Sequence, residues 1–385
     1  MVSYRSSILI AWLILSFLEG VFSNADGTAA NSDFSAAGSH VSMALGYSCI
    51  AIFLLVLFVR RYRSIRLDAP IKYQIILYSY FLLTGFWSNL ALVSFGQAIY
   101  SVYGLFFAFS IGYACAGRDL LSSVTEFIKL WFFMLLIAYL VEAFFIIFYS
   151  GVFRLVPLDE KALISVVLII LAFSFKISVG RIRNIILWFM FIFGLSFSSI
   201  LSSLVFFLSR IRSHIRIFLL LCFMPSFWYL YRLLLAGDIK IYSKSIDYIY
   251  TGSGRFDLYS VLMNKIIDQN ISLLIFGNGY MSERYALSAS ELTWSIDAHN
   301  NILQSLWGVG VLGTLIMFKV WRSFIESFSS YKTLVTRTQM RTLNLSVFAF
   351  VAFGLTSSHF FSRPSLSAVF ITSLCILLGN VSRKT

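Results

Sequence analysis

A short segment of the chain holds a histidine that could accept a proton from a hydroxyl group. Asp297-Ala-His299-Asn300-Asn301 stands directly before a long apolar stretch, so we expect His299 in the first turn of a membrane helix. A helix N-terminus disfavours the imidazolium ion, which leaves a neutral imidazole able to accept a proton at about pH 7. The same position suits a histidine that only caps the helix. Asn300 could orient a substrate or cap the helix, and the sequence favours neither role.

Arg255, Arg284 and Arg363 are candidates for binding phosphate, because a guanidinium group presents a planar fork of donors to phosphate oxygens. Arg255 follows two glycines, and a salt bridge with a nearby acid is the alternative role for it. Arg284 and Arg363 are expected on the same side of the membrane as Arg255. Arg232 stands within an apolar segment, where an ionisable group is costly and often functional. The alternative is a structural ion pair between Arg232 and Glu142, which would explain why each charged residue stands in an apolar segment.

The composition is that of a membrane protein. Of the 385 residues, 59% are hydrophobic and only 12% are charged, whereas a soluble domain is about 25% charged. A soluble enzyme is therefore excluded. We attribute the net charge of +13 to basic cytoplasmic loops and expect no nucleic-acid partner. The four cysteines lack metal-ligand spacing, so we expect buried thiols, no disulfide framework and no metal.

The apolar runs predict an all-α, polytopic integral membrane protein. The runs are 6–22, 43–59, 73–93, 98–116, 127–150, 162–178, 184–208, 217–236, 298–320, 342–360 and 365–380. The run 184–208 has a polar break at Ser196–Ser199. We divide it there into two short helices, which gives 12 transmembrane helices, against 11 if it stays undivided.

Basic residues predict the orientation. Loops 60–72 and 319–341 each hold five Lys or Arg against one acid, whereas loop 23–42 has acids and no Lys or Arg. The first two loops should be cytoplasmic and the third periplasmic, with both termini in the cytoplasm. Loop 237–297 is then a large periplasmic loop, and most of its charged residues, a set that includes Glu283, are expected on a solvated surface. The predicted parts are an N-terminal helix bundle at 1–236, this loop, and C-terminal membrane helices at 298–385.

Three motifs follow one another in and after the long loop. They are Ser253-Gly-Arg255-Phe-Asp-Leu-Tyr259, Leu274-Ile-Phe-Gly277-Asn-Gly279-Tyr280, and His299-Asn300-Asn301-Ile-Leu303 with Gly308-Val-Gly310. Their order, spacing and membrane context resemble the O-antigen polymerase and O-antigen ligase superfamily. The close match covers about 250–315.

The resemblance implies a GT-C-like membrane glycosyltransferase in the bacterial inner membrane that needs no metal, cofactor or nucleotide sugar. The implied donor is a glycan on undecaprenyl pyrophosphate, and a separate chain-length regulator is an expected partner. Arg255 would contact the pyrophosphate and His299 would activate or position the acceptor hydroxyl. Many members carry an arginine between two short helices where this chain has Ser196–Ser199, so Arg232, Arg284 and Arg363 are the candidate replacements.

The candidates for stacking on sugars are Tyr248, Tyr250, Tyr280 and Trp294, and Tyr259 is a further candidate for substrate binding. Tyr259 stands where many members of the superfamily have Trp, and Tyr280 follows the paired glycines. An aromatic belt at the membrane interface is the alternative explanation for such tyrosines.

Three functions remain in competition. The first is an O-antigen polymerase, which moves a growing glycan from its lipid carrier onto the next lipid-linked repeat unit. The second is the ligase, which moves finished glycan onto the lipid A core. The third is a polysaccharide flippase or transporter, which would need polar residues along several spans. Ionisable groups within the spans are few, and the missing arginine at Ser196–Ser199 favours the polymerase.

Overall fold

A computed structural model describes residues 4–26, 67–117, 119–145, 159–193, 255–283, 300–356 and 365–383. All regular secondary structure in these ranges is α-helical, which confirms the all-α part of the predicted fold class. Three helices, Ala91–Cys115, Leu120–Val141 and Asn301–Ser330, are long and apolar enough to cross a membrane. The chain is therefore suited to a membrane. The total of 12 spans stays a prediction, because the runs 43–59 and 217–236 and the break at Ser196–Ser199 lie outside the described residues.

The helices follow most of the predicted runs. They are α1 (Tyr4–Asp26), α2 (Ala69–Thr84), α3 (Ala91–Cys115), α4 (Leu120–Phe145), α5 (Asp159–Ser174), α6 (Arg181–Phe193), α7 (Arg255–Ile267), α8 (Ile271–Phe276), α9 (Asn301–Ser330), α10 (Arg337–Thr356) and α11 (Leu366–Ser382). Helices α7 and α8 lie within the predicted periplasmic loop.

Two predicted boundaries are wrong. The run 73–93 is not one helix, because α2 ends at Thr84 and a turn held by Ser88 separates it from α3. The predicted loop 319–341 is helical as far as Ser330. Its charges lie on an exposed helix face, where Arg322 pairs with Glu326 four residues later, so charge alone did not mark the end of the helix.

The aromatic core lies between α4, α10 and α11. The ring of Phe370 is 4.9 Å from that of Trp131 and 5.8 Å from that of Phe350, measured between centroids. All three side chains are fully buried. Within lipid, van der Waals packing and not exclusion of water stabilises contacts between helices, so the close fit of these rings helps to hold the three helices together.

Contacts between helix ends define two opposite ends of the bundle. At the first, which we call the Arg383 end, Arg383 pairs with Asp68, and Arg5 donates to the carbonyl oxygen of Ala114 over 3.0 Å and pairs with Glu126. At the second, the Asn300 end, the start of α9 meets the end of α10 and the segment that follows α8. Of the described Lys and Arg residues, three belong to segments at the Asn300 end, namely Lys161, Arg255 and Lys265. The other described cations belong to segments at the Arg383 end, so positive charge is strongly asymmetric.

Candidate functional site

Helix α9 begins at the Asn300 end with a side-chain cap. The Oδ1 atom of Asn300 accepts hydrogen bonds from the backbone N–H groups of Ile302 (2.9 Å) and Leu303 (3.1 Å). Its Nδ2 atom donates to the carbonyl oxygen of Leu355 over 3.1 Å. Of the two roles that the sequence left open for Asn300, the structure therefore shows the cap, and the amide also ties α9 to the last turn of α10.

Helix α7, which begins at Arg255, packs on the first turns of α9. Leu262, Ile266 and Leu303 form a small buried cluster, and Tyr259 packs half-buried against it. Tyr259 therefore has a packing role between the two helices. The backbone of Arg255 is at the start of α7, while its side chain and the residues His299, Arg284, Arg232 and Arg363 lie outside the described part of the structure.

The segment 277–280 binds the backbone of α9 at a kink. The N–H of Asn278 donates to the carbonyl oxygen of Trp307 over 2.9 Å, and the N–H of Gly279 donates to that of Gly308 over 2.8 Å. Those carbonyls are available because α9 is interrupted at Gly310, which has φ 66° and ψ −172°. A residue at this φ breaks the regular i to i−4 ladder, so the loop donors replace helical ones.

Glycine is required where the two backbones meet. Gly277 and Gly310 both have positive φ. A Cβ atom on Gly277 would overlap the carbonyl of Gly308, and one on Gly310 would overlap the carbonyl of Ile275. The glycines of the second and third sequence motifs therefore allow close approach of two chain segments. Their structural role needs no bound phosphate.

Helix α2 and the turn after it hold the segment 277–280 and the end of α8 from the other side. Tyr80 donates its hydroxyl to the carbonyl oxygen of Phe276, and Trp87 donates its indole N–H to that of Gly277, each over 3.0 Å. The hydroxyl of Thr84 accepts from the N–H of Tyr280 over 3.0 Å. Sequence reasoning missed these three residues. The only available signal was that polar and aromatic groups cluster toward the end of an otherwise apolar run.

Tyr280 is a core residue, contrary to the prediction that it is available to stack on a sugar. Its side chain is 2% exposed. The ring stacks on Phe81 with 3.9 Å between centroids, and the hydroxyl lies 3.2 Å from Ser101 Oγ. The prediction failed because residues after the paired glycines turn back into the bundle and do not stay at its surface.

A buried carboxylate lies one turn below the cap of α9. Glu283 is 0% exposed, which corrects its assignment to a solvated surface. Its Oε1 atom accepts from Gln304 Nε2 over 2.6 Å, and the same amide lies 2.8 Å from Met281 Sδ. An ionisable group buried in a membrane protein is a functional candidate. Gln304 follows Asn300 by four residues, so Glu283 lies against the same helix face as the cap.

Two of the four cysteines lie within the described ranges. Cys115 and Cys375 are free and buried, as predicted for them. Within those ranges no group of three His, Cys, Asp or Glu side chains is placed to hold a metal ion.

No protein-family model matches the chain, and no curated protein matches it.

Proposed function

We propose that the chain is an O-antigen polymerase, a membrane glycosyltransferase that elongates a surface polysaccharide. The observation that carries the proposal is the convergence of the three sequence motifs at the Asn300 end. Helix α7, the segment 277–280 and the first half of α9 are separate elements between residues 255 and 315, and they contact one another there. Motifs that only stabilised separate loops would not need to meet.

We infer that the two candidate catalytic residues act at one site. The inference rests on two observations: helix α7, which begins at Arg255, packs on Leu303, and His299 stands directly before Asn300, the cap of α9, in the sequence. We infer that Arg255 binds the pyrophosphate of a lipid-linked donor and that His299 accepts the proton of the acceptor hydroxyl. Arg284, Arg232 and Arg363 remain candidates for a second contact with the phosphates.

The proposed reaction is an inverting displacement. The acceptor oxygen forms a bond to the anomeric carbon, and the bond from that carbon to the pyrophosphate oxygen breaks. The proton of the acceptor goes to His299, and the negative charge that develops on the leaving pyrophosphate is stabilised by Arg255. Since pyrophosphate is a good leaving group, electrostatic stabilisation by arginine can supply much of the rate enhancement.

The charge asymmetry of the bundle supports a periplasmic site. Described Lys and Arg residues concentrate at the Arg383 end, and basic residues mark the cytoplasmic side of a membrane protein. The Asn300 end then faces the periplasm, and both termini are cytoplasmic. In this orientation, glycans on their lipid carrier would react on the outer face of the inner membrane.

A gel of surface polysaccharide from a deletion strain tests the proposal. The strain is complemented with wild type, Arg255→Ala or His299→Ala, and Arg341→Ala serves as a matched control because it is exposed at the opposite end. A polymerase predicts core plus one repeat unit in the deletion strain, and a ladder restored by wild type and by Arg341→Ala only. Bare core with polymer left on its lipid carrier would mean the ligase. A full ladder from both site variants would refute the site.

A further inference from the structure

Helices α2 and α9 form a continuous antiparallel seam. At one level Lys319 Nζ lies 5.2 Å from the ring centroid of Tyr73. At the next, the ring of Tyr80 packs where Gly313 has no side chain. Residue numbers fall on α9 as they rise on α2, so the seam leads from the Arg383 end towards the segment 277–280.

The outer face of this seam is apolar. Along α2, Ile76 and Leu83 are 50% and 51% exposed, and along α9, Leu312 and Leu315 are 40% and 59% exposed. Ile76 and Leu83 are seven residues apart, and Leu312 and Leu315 are three residues apart. Each spacing keeps the two side chains on one side of their helix. In a membrane helix such a face contacts lipid chains.

Cations gather where the seam reaches the Arg383 end. Lys72 and Lys319 are exposed, and neither has an ion pair within the described ranges. Arg322 follows Lys319 on the exposed face of α9, where its side chain is 73% exposed and pairs with Glu326. The start of α2 also holds the ion pair between Arg383 and Asp68. With that pair included, four described cations face two acids, which leaves a local excess of positive charge beside the apolar face.

We propose that the α2–α9 seam binds an anionic phospholipid. Its phosphate lies at Lys72 and Lys319, and its acyl chains follow Ile76 and Leu315 towards the middle of the membrane. An anionic lipid is favoured over a zwitterionic one, because a choline or ethanolamine group would bring a positive charge to a site that already has an excess. Basic groups between membrane helices on the cytoplasmic side recognise anionic headgroups in this way.

Native mass spectrometry of the full chain tests this site. The protein is released from nanodiscs that contain equal amounts of phosphatidylglycerol and phosphatidylcholine, and the retained lipids are counted. We expect wild type to retain phosphatidylglycerol preferentially. Each lysine should contribute about fivefold to that preference, so the double variant K72Q/K319Q should lose about 25-fold. Lys319→Arg, which keeps the charge, should retain the preference.

The matched control removes the same charge at the same end but away from the seam. R337Q/R341Q changes two exposed arginines in the first turns of α10, and it should bind phosphatidylglycerol as wild type does. An equal loss in both double variants would mean diffuse charge attraction and would overturn the site. Equal retention of the two lipids by wild type would overturn it as well.

Discussion

The backbone N–H of Gly279 donates to the carbonyl oxygen of Gly308 over 2.8 Å, and this bond joins a loop to the interior of a long helix. A second hydrogen bond, from the N–H of Asn278 to the carbonyl oxygen of Trp307, strengthens this junction. Since the acceptors are carbonyls released by the break at Gly310, the kink of α9 and the path of the loop depend on each other. The junction also sets where α7 and the cap at Asn300 stand relative to one another.

Substitution of Gly310 should disrupt this junction. Alanine at φ 66° is strained by about 1–3 kcal/mol, and its Cβ would overlap the carbonyl of Ile275. We expect Gly310→Ala to lower the midpoint of thermal unfolding in detergent by about 5 °C and to shorten the polysaccharide ladder. Gly96→Ala is the control, because open space surrounds Gly96 in α3 and alanine favours helix. An unchanged midpoint in Gly310→Ala would contradict the role of the kink.

Loss of the buried carboxylate should be costly. Glu283→Ala leaves the amide of Gln304 without its 2.6 Å acceptor. An unsatisfied buried donor costs about 1–3 kcal/mol, whereas Glu283→Gln keeps an acceptor oxygen and should cost less. Unfolding midpoints of the two variants give the comparison. Glu326→Ala is the matched control, since its carboxylate is 52% exposed and an exposed ion pair contributes little. Equal losses at Glu283 and Glu326 would argue against a buried bond.

Variants of Asn300 separate its capping role from a role in substrate binding. Asn300→Ala should destabilise the protein by about 1 kcal/mol, because it removes the acceptor for the N–H groups of Ile302 and Leu303. Serine also caps helices, so Asn300→Ser should keep most of the stability. If capping is the whole role, the serine variant restores a normal ladder. A stable serine variant that gives no ladder would instead show that activity needs the amide group itself, for its bond to the carbonyl oxygen of Leu355 or for a contact with substrate.

Cysteine labelling tests the proposed orientation. Asn270 is exposed at the turn between α7 and α8, and Thr338 is exposed in the first turn of α10. A membrane-impermeant maleimide should label Asn270→Cys in intact spheroplasts but label Thr338→Cys only after permeabilisation. Wild type is the background control, and its buried Cys115 and Cys375 should stay unlabelled. The reverse pattern would put the Asn300 end in the cytoplasm and exclude the proposed periplasmic reaction.

Hydrophobic runs predicted the helices well because lipid exposure demands long apolar segments whatever the tertiary contacts are. They failed at Thr84, where the helix ends and the buried hydroxyl accepts from the N–H of Tyr280, and at Lys319, where a charged residue remains helical. Both failures have one physical cause. A polar side chain in an apolar run can end a helix, satisfy a neighbour or reach the membrane surface, and only tertiary contacts distinguish these outcomes.

The candidate site was predictable in its composition but not in its geometry. The sequence motifs include Gly277, Gly279 and Gly310. The sequence alone could not show that these glycines let two backbone segments come into contact. The buried positions of Tyr280 and Glu283 were missed because a long loop with mixed charge normally stays in solvent. Here the segment 277–283 packs against α2 and α9. Its sequence has no hydrophobic periodicity from which this burial could be predicted.

Turnover by the purified protein in liposomes tests polymerisation itself. The full chain is reconstituted with an undecaprenyl-pyrophosphate-linked repeat unit, and products are separated by size. We expect lipid-linked oligomers of two and more repeats and one released undecaprenyl pyrophosphate for each new linkage. The variant His299→Ala should give neither product. The same lipid-linked unit serves as donor and acceptor in this assay. If folded wild-type protein leaves all repeat units monomeric, the protein is not a polymerase.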